Sequence, residues 1–214
     1  DDRRVFTGSS DMIIKMWEIA TKRLLKVFRG HIDYVVDIRL HPTGKYLISS
    51  SDDSSVRVWN LQTEGHEGEE LMNLNHQDWV KALHVSKDGK HIIGGDLTKH
   101  INVWTLNSSL KDTPPISFEL PVRKSAENDG CTMLEIERNG PRFFAGTHNG
   151  EIIFLNWNDK ASVRSLKDTG KVSGACFLFD EKRLALVGED NKVVIFDLEK
   201  DRHDITLKVI GKQA

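Results

Sequence analysis

Cysteine is nearly missing from this 214-residue chain, with only Cys131 and Cys176 present. A disulfide framework is therefore excluded as the source of stability. Two thiols among apolar neighbours favour a reducing compartment, cytoplasmic with the nucleus as the alternative. Both are expected to act as small buried hydrophobes. No apolar run approaches the ~18 residues of a membrane-crossing helix, and no signal-peptide pattern opens the chain. Charge of one sign is not in excess either: 30 Lys and Arg face 32 Asp and Glu, for a net charge of -2. That scattered balance gives no reason to expect a nucleic-acid or membrane partner. Gly-rich phosphate loops and convincing amphipathic helices are absent. So is an initiator Met: "DDRRVFTGSS" runs straight into strand-like sequence, and the expectation is a piece of a longer protein.

What the chain has instead is repetition. The stretch from His31 to Val35, in "GHIDYVVDI", returns 45 residues later from His76 to Val80, in "NHQDWVKAL". Short segments end at Trp17, Trp59, Trp104, Leu155 and Phe196, at intervals of 42, 45, 51 and 41 residues. Upstream, Val35, Val80, Cys131 and Val172 each precede the next such anchor by 24 residues. Val5, Leu47, Ile92, Phe143 and Leu184 each stand 12 before one. A fixed offset in every unit marks an internal repeat.

The segments are short, rich in β-branched and aromatic residues, and bounded by turn residues. Thr43-Gly44, Asp88-Gly89 and Asn139-Gly140 sit where hairpin turns are expected. Each unit therefore predicts four antiparallel strands, A to D, with strand C centred near the anchor. The units run approximately over 1–29, 30–75, 76–122, 128–168 and 170–211, and the first lacks strand A.

Four-stranded units of this length with Gly-His and Trp-x punctuation resemble the WD40 repeat family of β-propellers. The most specific segment runs from Gly30-His31 to Trp59-Asn60; the strict Trp-Asp dipeptide never occurs, its places reading Trp17-Glu18, Trp59-Asn60, Trp104-Thr105 and Phe196-Asp197. The resemblance implies an all-β propeller, with these five blades part of a larger, usually seven-bladed, ring. It also implies a hydrogen-bonded structural tetrad, matched in the second unit by His31, Ser49, Asp53 and Trp59. An indole N–H only donates and is costly to bury unpaired, so Ser, His and Asp can relay its bond. Ser, His and Asp also describe a hydrolase triad, but here the Ser would lie beneath a Trp with no cleft. Elsewhere the set decays: Thr7, Asp11 and Trp17 in the first unit, His76 and Trp104 with Gly94 and Thr98 in the third, none in the fourth, and Asp190 alone in the fifth.

Within the recurring motif, His belongs to the tetrad and Val to the core. Asp33, Tyr34, Asp78 and Trp79 have no core duty and are the candidate partner-binding residues on the top rim. The competing reading packs each ring against the neighbouring blade. Asp52, Leu97, His148 and Glu189 are expected to reach the same rim. His84, His91 and His100 fall on different strands and turns, so no metal site is expected, and no catalytic residue or cofactor site either. The resemblance thus implies a non-catalytic scaffold for protein–protein interaction in a eukaryotic multiprotein assembly, binding proteins or peptides at the top rim. One alternative is the substrate-receptor subunit of a ubiquitin ligase. Family members of that kind carry an Arg two residues after the Trp-Asp dipeptide, where this chain has Ala20, Gln62, Asn107 and Glu199. The other is a regulatory propeller appended to an enzyme outside this chain.

Overall fold

The computed structural model describes residues 3–62, 68–106, 114–120, 130–138, 140–147, 150–159, 162–166, 172–180, 182–188, 192–200 and 202–208. Every regular element within them is a β-strand, and all pairings are antiparallel. A three-stranded sheet comes first: β1 (Arg4–Gly8), β2 (Ile14–Glu18) and β3 (Leu24–Phe28). Four four-stranded sheets follow. The second holds β4 (Val35–Leu40), β5 (Tyr46–Ser51), β6 (Ser55–Asn60) and β7 (Glu70–Asn75). The third holds β8 (Val80–Val85), β9 (His91–Asp96), β10 (His100–Thr105) and β11 (Ile116–Glu119). The fourth comprises β12 (Cys131–Ile136), β13 (Arg142–Thr147), β14 (Ile152–Asn156) and β15 (Ser162–Leu166). The fifth comprises β16 (Val172–Phe177), β17 (Arg183–Gly188), β18 (Lys192–Asp197) and β19 (Arg202–Lys208). In each sheet the strands lie side by side in chain order.

The sequence offsets are strand register. Each residue 12 before an anchor is its direct cross-strand partner: Val5 opposite Trp17, Leu47 opposite Trp59, Ile92 opposite Trp104, Phe143 opposite Leu155, Leu184 opposite Phe196. The anchors are the penultimate residues of their strands, not the centres. In four sheets the C–D ladder bulges at the anchor, after which the chain leaves the sheet. A second bulge recurs just after the first residue of every A strand. Bulges bend a strand and sharpen its twist, so their repetition bends the second, fourth and fifth sheets at the same two places. Gly44 and Gly89 adopt φ of +70° and +74° in the A–B turns, where a side chain would be strained. Asn139 lies outside the described residues.

No described sheet owns a core; pairs of sheets share one. Ile14, Met16 and Phe28 of the first sheet pack with Val35, Leu47 and Trp59 of the second. Val56, Val58 and Met72 of the second pack with Leu83, Ile92 and Trp104 of the third. Ile101, Val103 and Phe118 meet Leu134, Phe143 and Leu155, and Phe144, Ile152 and Phe154 meet Leu184, Leu186 and Phe196. Trp59, Trp104, Leu155 and Phe196 thus face the preceding sheet, while Val58, Val103 and Phe154 beside the first three face the following one. In the three middle sheets both faces are covered, which is why their strands read as apolar runs instead of alternating. The A strands contact one another in sequence, β4 to β8, β8 to β12 and β12 to β16, and line the inner side of the stack.

Cys131 is fully buried, its Sγ filling the space that Gly95 leaves by having no side chain, and burial pushes its thiol pKa up. Cys176, by contrast, is exposed. Its strand neighbours Ala175 and Phe177 pack against the fourth sheet, so alternation turns Cys176 away from that shared core.

Candidate functional site

Antiparallel order puts all B–C turns and D–A connections at one end of the strands, and all A–B and C–D turns at the other. The first end carries the recurring motif. In the second unit, Trp59 Nε1–H donates to Ser49 Oγ at 2.9 Å, and Ser49 Oγ lies 2.7 Å from His31 Nε2. His31 Nδ1 lies 2.8 Å from Asp53 Oδ2. Since indole can only donate, Ser49 accepts from it and turns its own proton to Nε2, leaving Nδ1–H for the carboxylate. Asp53 also accepts from the Ile32 amide at 3.1 Å and from Ser55 Oγ at 2.6 Å. Burial works against the charge on Asp53. The hydrogen bonds from His31 and Ser55, with that from the Ile32 amide, more than offset it and hold the carboxyl well below the usual range. Ser49 is wholly buried beneath Trp59, so no substrate reaches this Ser, His and Asp.

The third unit solves the same problem with a different residue. Its carboxylate comes from Asp96, the last residue of β9, not from the turn position occupied by Thr98. His76 Nδ1 lies 3.1 Å from Asp96 Oδ2, while Asp96 Oδ1 accepts from the amides of Thr98 and His100, both at 2.9 Å. Burial opposes the Asp96 charge, and these bonds, led by that from His76, lower its pKa on balance. With Gly94 where Ser49 stands in the second unit, His76 Nε2 has no partner among the described residues. In the first unit Trp17 Nε1–H donates to Thr7 Oγ1 at 3.2 Å, and Asp11 instead bonds Lys15 at 2.9 Å. Asp190 lies outside the described residues.

Tyr34 and Trp79 occupy equivalent places at this end, 52% and 47% exposed. The side chains of Asp33 and Asp78 each cap the next backbone amide, Tyr34 and Trp79, at 2.7 Å. The backbone of each is further tied from the B–C turn, since Tyr34 O accepts from the Asp52 amide at 3.0 Å and Trp79 O from the Leu97 amide at 3.2 Å. Lys81 lies 4.9 Å over the Trp79 ring and reaches across to Asp52 Oδ1 at 2.6 Å, joining the second and third sheets. The rim therefore holds its aromatics in place while leaving about half of each to solvent. Ile32, 77% exposed, extends the patch. His148 and Glu189 lie outside the described residues.

Several residues here carry no sequence signal. Lys81 to Asp52, Arg39 Nε to Leu83 O at 3.1 Å and His41 Nε2 to Gly89 O at 2.9 Å all join the second and third sheets. No local pattern announces such pairs. His84 Nε2 lies 3.4 Å from Glu135 Oε2, and no group of three or more His, Cys, Asp or Glu among the described residues could hold a metal. No helix among them is long and apolar enough to cross a membrane.

Sheets of three to four antiparallel strands stacked through shared cores, with inner A strands and a recurring His-centred network, define a β-propeller built of sequence repeats. Residues 22–60 and 68–105 match the family described as WD domain, G-beta repeat. Over 79 residues the chain is 44% identical to nuclear distribution protein nudF of Aspergillus terreus, a match covering 37% of this chain and 17% of that protein. Over 61 residues it is 49% identical to nudF of Emericella nidulans, covering 28% and 14% respectively. The matches thus span about a sixth of these curated relatives. Two segments of the chain thus match the WD40 repeat family, whose members are generally protein-interaction scaffolds and typically non-catalytic.

Proposed function

We propose that this protein is a non-catalytic scaffold whose upper rim, centred on Tyr34 and Trp79 with Asp33 and Asp78, docks partner proteins or peptides in a cytoplasmic assembly of a eukaryotic cell. One observation carries the reading. Two large aromatic rings stand half-exposed at equivalent positions of neighbouring blades, each on a backbone amide capped by the preceding Asp. Pre-positioned aromatic residues lose little entropy on binding and are the usual anchors of interfaces. The His31, Ser49, Asp53 and Trp59 network serves this rim by pinning the connection that carries Tyr34 over its blade. The fungal relatives, named for nuclear distribution, support the eukaryotic setting.

The test compares wild type with the Tyr34→Ala/Trp79→Ala double variant in affinity capture from a eukaryotic lysate, with melting curves measured in parallel. Loss of captured proteins at an unchanged melting temperature is expected. Equal recovery from both proteins would move the docking surface elsewhere.

A further inference from the structure

We propose that the outer edge of the first sheet is a second docking site, where β3 takes up an extended acidic segment of a partner protein as an added strand. Among the described residues β3 pairs only with β2, so one side of its backbone is an open row of amides and carbonyls. An extended peptide completes such a row with main-chain hydrogen bonds, leaving side chains to set the choice of partner. The site uses neither Tyr34 nor Trp79 and so extends the scaffold reading to a different surface.

Charge names the partner. Residues 3–29 hold seven Lys and Arg against two Asp and Glu, in a chain whose net charge is -2. Both carboxylates are engaged: Asp11 Oδ2 accepts from Lys15 Nζ at 2.9 Å, and Glu18 accepts from the Thr21 hydroxyl. Arg3, Lys22, Arg23, Lys26 and Arg29 have no carboxylate partner among the described residues. Lys26 is half-buried and the other four are exposed. On the neighbouring blade, Glu70 is taken by Arg57 at 2.5 Å. Protecting an open edge from self-pairing does not call for this excess. Every other outer strand, taken with two residues on either side, contains a carboxylate: Glu70, Glu119, Asp168 and Asp204 in turn. The run from Lys22 to Gly30 contains four cations and none.

The apolar part of the surface fits the same ligand. Leu25 is the bulged residue of the β2–β3 ladder and is 39% exposed, while Ile19, in the C–D turn, is 53% exposed. The Ile19 amide donates to Arg3 O at 2.8 Å and the Glu18 amide to Arg23 O at 2.9 Å, which ties these residues into one corner. Carboxylates of an added strand gain charge-assisted hydrogen bonds from the Lys and Arg side chains. Its alternate residues, pointing the other way, present apolar groups to Leu25 and Ile19. A lipid surface or a nucleic acid would meet the cations but leave the backbone edge unpaired. A polypeptide uses both.

A fluorescein-labelled nonapeptide of alternating Glu and Leu serves as the probe, read by anisotropy against the whole chain at low salt. Saturable binding is expected, weakened about tenfold by Lys22→Glu/Lys26→Glu with the melting temperature unchanged. Lys45→Glu/Lys87→Glu makes the same change in net charge at the A–B turns of the second and third blades, and should alter binding by no more than about twofold. Two further peptides are N-methylated on alternate residues, one at the Glu and one at the Leu positions. At least one should lose binding, because every second amide of an added strand faces the edge. Any of three results overturns the proposal: no saturable binding, an equal effect of the two charge-reversed pairs, or full binding of both methylated peptides. Binding to phosphatidylserine vesicles through Lys22 and Lys26, tighter than to the peptide, overturns the choice of a polypeptide. Because the probe reads this edge and lysate capture reads the aromatic rim, the two readings fail independently.

Discussion

Replacing Ser49 by Ala removes one oxygen from the centre of the second blade's network and strands two groups at once. Trp59 Nε1–H loses its acceptor at 2.9 Å, and His31 Nε2 loses its neighbour at 2.7 Å. All three residues are buried, Ser49 at 0% and Trp59 at 1% exposure, so water cannot step in without opening the blade. An unsatisfied buried polar group costs about 1–3 kcal/mol, and partial relaxation keeps the pair near ~2–4 kcal/mol. At roughly 2–4 °C per kcal/mol for a chain of this size, Tm should fall by about 4–16 °C. The assay is thermal unfolding followed by circular dichroism and by tryptophan fluorescence, taking Tm where the two coincide. A thermodynamic cycle isolates the network: in a Trp59→Phe background the donor is already gone, so Ser49→Ala should cost about 1–2 kcal/mol less. A Tm change below about 2 °C, or an equal cost in both backgrounds, would falsify the account of Ser49 as a relay.

Two glycines in equivalent turns should respond unequally to Ala. At Gly44 nothing lies within 4 Å of an added Cβ, so only the left-handed backbone is penalised, about 1 kcal/mol. At Gly89 that Cβ would stand 2.4 Å from His41 Nε2, which donates to the Gly89 carbonyl, so the cost should exceed that of Gly44→Ala by at least about 1 kcal/mol; equal urea midpoints would refute it. Acid should also weaken the fold through Asp53. Its pKa is lowered on folding, so its contribution is complete above the unfolded value near ~4 and is lost as pH falls toward the folded value. Urea midpoints measured from pH 6 to pH 3 should therefore fall less steeply in Asp53→Asn than in wild type, and identical slopes would reject the linkage.

The sequence carried the fold because its spacing is a direct image of register. A residue 12 before an anchor sits across from it in the ladder, and nothing but a hairpin of fixed length keeps that offset through five units. Polar partners are less legible. Alignment on the B–C turn placed Thr98 opposite His76, yet Asp96 reaches the same imidazole from two residues earlier. A hairpin end offers several positions within reach of one ring, and spacing alone does not choose among them. Cys176 shows a related limit: as an A-strand residue it was expected inside, but such strands alternate, and only packing shows which neighbour faces the shared core. Bonds between blades, such as Lys81 to Asp52, join residues 29 apart with no periodic signature. Of the rim residues, spacing named Tyr34 and Trp79, while Ile32 and the braces from Asp52, Leu97 and Lys81 needed coordinates.

The layers shared between sheets also bear on how this chain can drift. Trp59 fills space against Ile14, Met16 and Phe28, residues that belong to the sheet before it. A smaller side chain at such a place therefore leaves a hole whose remedy lies on another sheet, roughly one repeat away along the chain. Compensating substitutions should accumulate at a lag of 31 to 45 residues, for instance between Trp59 and Phe28 or between Trp104 and Met72. The family match has the same phase. Residues 22–60 begin with the outer strand of one sheet and end with the third strand of the next, so the inherited unit is the joint and not the blade. Duplication of such a segment delivers a new sheet already threaded to its predecessor, and its polar network is then free to decay wherever the joint packs well.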